Sequence, residues 1–149
     1  MKKILFFDDE PFVMSYLIKC LMENLEWSGD KELVFVSTIQ DLLTEINSIK
    51  EVYDLFVLDV MAPMPSDKLE EYFSKKEWIK MDGGMNAGIV LAEKIRKIEK
   101  YKNVPILFLS ARSISTIPDS ENPNTVYIRK PVSSAEITKK INELLGTNK

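Results

Sequence analysis

Five residues carry the chemistry to be expected of this chain: Asp8, Asp9, Asp59, Ser110 and Lys130. Each stands at, or a residue or two beyond, the end of a short apolar run. Three carboxylates brought to one place repel unless a cation joins them. With no histidine and a single cysteine in the chain, a metal there must be held mainly by oxygen. Mg²⁺ suits such a set, because it binds through one or two carboxylates and keeps waters and phosphate oxygens in its shell. Lys130 adds positive charge without competing for the metal, and the Ser110 hydroxyl can donate a hydrogen bond. Together these groups suit phosphoryl transfer to a carboxylate, with Asp59 as nucleophile and Mg²⁺, Lys130 and Ser110 offsetting charge on the transferred oxygens. Taken singly the parts are ambiguous: Asp8, Asp9 and Glu10 equally suit the N-terminus of a helix, and a lone serine is more often a cap.

These residues can meet only if the scaffold brings several strand ends to one edge. Residues 4–7 and 55–58 are wholly apolar, too short for helices, and end in carboxylates, as strands buried on both faces do. Residues 33–36, 104–109 and 126–128 read as further strands. Between them lie helical patterns. Pro11 opens a helix to about Leu25, with Val13, Leu17, Cys20, Leu21 and Leu25 on one face. Ser37 and Gln40 have capping-box spacing before a helix carrying Ile39, Leu42, Leu43, Ile46 and Ile49 inward. Asn86 to about Lys100 places Ile89, Val90, Ala92, Ile95 and Ile98 toward the core. Ser133 and Glu136 form another capping box, and the last helix ends at Leu145 with Gly146 as its stop. Alternating strands and helices predict an α/β, doubly wound, five-stranded parallel sheet. Ligands collect at the carboxyl edge of such a sheet, and strands about 4.8 Å apart let groups from several strand ends share a site.

Length predicts one domain over residues 1–149. A net charge of −3 gives no reason to expect nucleic acid as a partner. The opening run 1–7 is cut short by Asp8, Asp9 and Glu10, so it is no signal peptide, and nothing is long enough to insert in a membrane. Cys20 reads as a small buried hydrophobe in a chain without disulfides, which fits a cytoplasmic location.

Five pieces in order carry a family resemblance: Phe7-Asp8-Asp9-Glu10, Val57-Leu58-Asp59-Val60-Met61-Ala62-Pro63, Met81-Asp82-Gly83, Phe108-Leu109-Ser110-Ala111 and Ile128-Arg129-Lys130-Pro131. The chain resembles a receiver domain of two-component response regulators, of the stand-alone type. The resemblance implies the flavodoxin-like strand order 2-1-3-4-5. It implies that Asp59 accepts a phosphoryl group from a sensor histidine kinase or phosphotransfer protein, and that Asp8, Asp9, Asp59 and the backbone carbonyl of Met61 hold Mg²⁺. It makes Ser110 the switch hydroxyl, Lys130 the lysine of the site and Tyr127 the rotating aromatic, although a strand tyrosine is more often simply packed. Output would pass to a separate protein, or the domain would relay phosphate onward, and catalysis would extend only to self-phosphorylation and self-dephosphorylation.

Two stretches depart from the family pattern. Residues 64–80 are a helical insertion after the third strand, in which Asp67 to Glu70 resembles a helix start, Leu69, Tyr72, Phe73 and Lys76 fall at helical spacing, and Glu71 and Lys75 form an (i, i+4) pair. This insertion is expected either to pack on its own domain or, through Tyr, Phe and Trp, to restrict the site or dock a partner. Residues 112–125, rich in Ser, Pro and Asn, predict a short or irregular element where receivers have a helix. The rival functions are a phosphorylation-independent interaction module and a Mg²⁺-dependent phosphohydrolase.

Overall fold

The computed structural model describes residues 1–23, 29–64, 71–113 and 124–146. In chain order these form β1 (Lys2–Phe7), α1 (Pro11–Glu23), β2 (Lys31–Val36), α2 (Ile39–Ile46), β3 (Leu55–Asp59), α3 (Lys75–Lys80), α4 (Ala87–Lys97), β4 (Ile106–Ser110), β5 (Thr125–Arg129) and α5 (Ser134–Leu145). The five strands make one parallel sheet in the order β2-β1-β3-β4-β5. No helix among the described residues is long and apolar enough to cross a membrane.

The apolar runs read from the sequence are the central strands because they have a core on each side. Side chains alternate across a strand. Leu5, Phe7, Phe56, Leu58 and Phe108 therefore pack with Leu42, Ile46, Val90 and Ile95 of α2 and α4 on one face. Ile4, Phe6, Leu55, Val57, Leu107 and Leu109 pack with Leu21 of α1 and Ile137 and Ile141 of α5 on the other. Every residue of β3 and β4 is buried, whereas β5, at the edge, is only partly so. Each fully buried Leu, Ile or Phe contributes about 1.5–3 kcal/mol, so the layers are fixed chiefly by these central strands.

Helix boundaries depart from the sequence reading in informative ways. The N-cap of α2 is Thr38 rather than Ser37: the Thr38 hydroxyl accepts from the Asp41 N–H at 3.1 Å. We expect Thr38→Ala to cost about 1 kcal/mol in a urea melt and Ser37→Ala to change little. The helix also stops at Ile46, because the Asn47 side chain turns back to donate to the Leu43 carbonyl at 2.8 Å. Ile49 consequently lies outside the periodic pattern and is 94% exposed, not a core residue. Cys20 is half-buried on the flank of α1, where it borders a surface groove with Tyr16 and Pro131, and is not enclosed. Half of the expected α5 capping box is present: the Ser133 hydroxyl accepts from the Glu136 N–H at 3.1 Å, while the Glu136 carboxylate turns to the Ser133 hydroxyl; Gly146 closes the helix as expected, in the left-handed region at φ 70°.

Among the described residues of the insertion the regular helix is α3, with Ser74 as N-cap. Ser74 and Glu77 complete a capping box in both directions, at 3.1 and 2.8 Å. Glu71 and Lys75 thus fall on opposite sides of the cap and do not share a helix. Trp78 and Ile79 lie inside α3. The expected start at residues 67–70 lies outside the described residues, as do Leu25 and most of 112–125. The insertion packs on its own domain: the Glu77 carboxylate meets the Lys94 ammonium of α4 at 3.1 Å, Lys80 pairs with Glu93, and Lys94 sits 4.9 Å over the Phe73 ring. Phe73 is buried edge-on to Trp78, leaving Tyr72 and Ile79 exposed.

Candidate functional site

The parallel register puts Phe7, Leu58 and Phe108 side by side, so the residues that follow arrive together at the carboxyl edge. Asp8 is fully buried there. One of its oxygens accepts from the Glu10 N–H at 2.9 Å and the other from Lys130 Nζ at 2.8 Å. Asp59, 6% exposed, has Oδ2 at 3.5 Å from the same ammonium and Oδ1 at 3.4 Å from the Met61 N–H. Half-buried Asp9 completes the group: one carboxylate oxygen from each aspartate lies within 4.8 Å of the others. Lys130 is anchored by its backbone, since its N–H donates to the Ser110 carbonyl at 2.8 Å.

Charge in this cluster is unbalanced. Burial, then the adjacent Asp8 charge, pushes the Asp59 carboxyl from its ordinary 3.8 up to about 7; Lys130 opposes the rise and Asp9 adds to it. Burial works against the Lys130 ammonium too, but Asp8 and Asp59 outweigh it and hold its pKa above the usual lysine value. Three carboxylates facing one ammonium leave an excess of negative charge among hard oxygen donors. A divalent cation fits that donor set. Asp9, Asp59, Met61 and Lys130 also line an open cavity of about 570 Å³, together with Pro63, Gly83, Gly84 and Met85. None of α3 lines it, so among the described residues the insertion flanks the site without covering it.

Ser110, 3% exposed, ends β4 one residue past Leu109, the register partner of Asp59, and its hydroxyl oxygen accepts from the Arg112 N–H at 3.1 Å. Tyr127 lies beside Phe108 on the next strand, its ring stacked at 5.1 Å and half-buried against the α2/α4 face. Met61 is half-buried on the cavity wall. All the residues singled out from sequence are therefore at this edge, with Tyr127 set one layer behind it.

Sequence reasoning passed over the two glycines that clamp the loop after Asp59. The Gly84 carbonyl accepts from the Ala62 N–H, and the Gly88 N–H donates to the Val60 carbonyl at 2.8 Å. A Cβ on Gly88 would stand 2.1 Å from the Asp59 carbonyl oxygen, and one on Gly84, at φ +101°, equally close to that of Ala62. For Gly88 the available signal was a glycine inside an expected helix, where it lowers helix propensity and invites a packing reason; Gly84 precedes that helix and carried no such signal.

No protein-family model and no curated protein matches the chain. Solved structures do. It is similar to the response regulator protein TrrA of Thermotoga maritima, solved in complex with Mg²⁺-BeF, at 25% identity over 97% of this chain and 99% of that one, TM-score 0.64. It is similar to the receiver domain of a Francisella response regulator at 22% identity with full coverage of both chains, TM-score 0.64. A response regulator receiver protein from Sinorhizobium medicae aligns at 19% identity over 99% of this chain and 97% of that one, TM-score 0.67.

Proposed function

We propose that this chain, which has the fold of response-regulator receiver domains, is itself a phospho-accepting receiver. The observation that carries the reading is the convergence of Asp59 with Asp8, Asp9 and Lys130 at the carboxyl edge of the sheet. Asp8, Asp9, Asp59 and the Met61 carbonyl would hold Mg²⁺, which when bound supplies positive charge to the transferred oxygens and lowers the cost of an ionised Asp59. An Asp59 oxygen attacks the phosphorus of a phosphohistidine on a sensor kinase or phosphotransfer protein. The new O–P bond gives an acyl phosphate, while the P–N bond breaks, leaving its electron pair on the imidazole, which takes a proton. Lys130, held by Asp8, stays within reach of the transferred oxygens, and the Ser110 hydroxyl donates to one of them. Drawing Ser110 inward favours one packing of the loops after β4, with Tyr127 following, and so alters a surface read by a separate output protein.

Incubation with Mg²⁺ and phosphoramidate, a small P–N donor, should add one phosphoryl group by intact-mass measurement. The adduct should be absent without Mg²⁺ and in Asp59→Asn, and sharply reduced in Lys130→Ala. A wild-type chain that takes no phosphoryl group from phosphoramidate, acetyl phosphate or a panel of kinases would favour the phosphorylation-independent module; steady turnover of phosphate esters would favour the hydrolase.

A further inference from the structure

The insertion, which the family pattern does not contain, is wired by polar contacts to the residue expected to answer phosphoryl transfer. We infer that Arg112 is a positioning residue coupling the Ser110 hydroxyl to α3, so that a phosphoryl group on Asp59 is registered at the insertion. This rests on the reading of Asp59 as acceptor. Three successive hydrogen-bonded steps make the connection. The Arg112 N–H donates to the Ser110 hydroxyl oxygen at 3.1 Å. The Arg112 guanidinium reaches away from the strand and donates through Nη1 to the Met85 carbonyl at 2.8 Å and the Asn86 side-chain oxygen at 2.9 Å. Asn86 then spans the gap: its Nδ2 donates to the carbonyl of Lys80, the last residue of α3, at 3.4 Å, and its backbone N–H donates to Met81 at 3.0 Å. Although Asn86 stands at the N-cap of α4, its side chain makes no cap bond, so both ends of the amide serve this bridge.

The coupling follows from what each group can do at once. A Ser110 hydroxyl that turns to donate to a phosphoryl oxygen reorients its oxygen relative to the Arg112 N–H. Arg112 must then move with it or lose that bond. Because the guanidinium is held by a backbone carbonyl and an amide oxygen, the displacement reaches Asn86 and the C-terminal end of α3. At that end α3 is held to α4 by the Lys80–Glu93 pair, in which both side chains are 43% exposed. Exposed pairs of this kind contribute little, so α3 can answer a small push. Core packing of Phe73 and Trp78 keeps it attached while it does so.

Trp78, inside α3, is a built-in reporter, and Trp27 is the only other tryptophan in the chain. In a Trp27→Phe background, Mg²⁺ with beryllofluoride should change Trp78 emission, while ¹⁹F NMR independently records bound fluoride. Arg112→Ala and Asn86→Ala should each at least halve the emission change with fluoride still bound, and the double variant should lose no more than either single one, as expected for members of one chain. Arg112→Lys, which keeps the charge but whose ammonium falls one bond short of Nη1, the atom that holds both Met85 and Asn86, should resemble Arg112→Ala. Bound fluoride with an undiminished Trp78 response in Arg112→Ala and Arg112→Lys, or with a silent Trp78 in the parent, would overturn the inference. No bound fluoride in the parent would instead overturn the acceptor reading and the coupling with it.

Discussion

Replacing Gly88 by alanine should cost about 3 kcal/mol or more, and with it most phosphoryl acceptance. The added Cβ would lie 2.1 Å from the Asp59 carbonyl oxygen and 2.8 Å from the Val60 Cα. Both obstacles are backbone, and no side chain can rotate to relieve them. Either the first turn of α4 lifts from β3, breaking the Gly88 N–H bond to the Val60 carbonyl, or the end of β3 shifts and takes the Asp59 carboxylate away from Lys130. Overpacking of a well-filled interior costs roughly 1–3 kcal/mol even where side chains can give, so a rigid obstacle belongs at the top of that range or beyond. Urea denaturation measures the stability, and the phosphoramidate reaction, run at a temperature where the variant is still folded, measures the site. An alanine variant within 1 kcal/mol of wild type would show that α4 does not dock on β3 as described.

The second large effect concerns Asp59 itself. In metal-free protein its carboxyl titrates near 7 rather than 3.8, because burial and Asp8 disfavour the charge. A folded-state pKa raised above the unfolded one makes folding bind a proton. The associated stability is complete below about 3.8 and is lost as pH rises through about 7. Wild type without divalent ions should therefore weaken from pH 5 to pH 8 by on the order of a few kcal/mol from this group, and Asp59→Asn should not share that loss. At pH 8 the asparagine variant should then melt several degrees above wild type, and Mg²⁺ should raise the wild-type melting temperature while leaving the variant nearly unchanged. Thermal melts at the two pH values, with and without Mg²⁺, check all of this. A wild type whose stability follows the variant's across that range would mean that Asp59 is not held in an excess of negative charge.

Central strands and their terminal residues were readable because burial on both faces leaves a mark in the sequence. Four apolar residues ending in a carboxylate at Asp8 and at Asp59 have few other uses. Where the sequence reading slipped, a single side chain had chosen between equivalent local options. Asn47 turned α2 off one residue after Ile46, stranding Ile49 in solvent. In the insertion, Asp67 to Glu70 and Ser74 to Glu77 both have capping spacing. Nothing local reveals that Glu77 and Lys80 find Lys94 and Glu93 on α4, and those contacts fix the orientation of α3. Arg112 left no local signal either, because Met85 and Asn86, which its guanidinium reaches, are twenty-seven and twenty-six residues away in sequence. Gly88 did leave a trace, but as a poor helix former in an otherwise regular pattern it reads first as a blemish.

The most direct test of the central claim is to locate the phosphoryl group. An acyl phosphate on an aspartate is reduced by borohydride to homoserine, which survives digestion and is placed by tandem mass spectrometry. After reaction with Mg²⁺ and phosphoramidate, homoserine should be found at position 59 and at no other carboxylate. Homoserine at a different position, or an adduct that leaves residue 59 as aspartate, would contradict the assignment of Asp59 as acceptor.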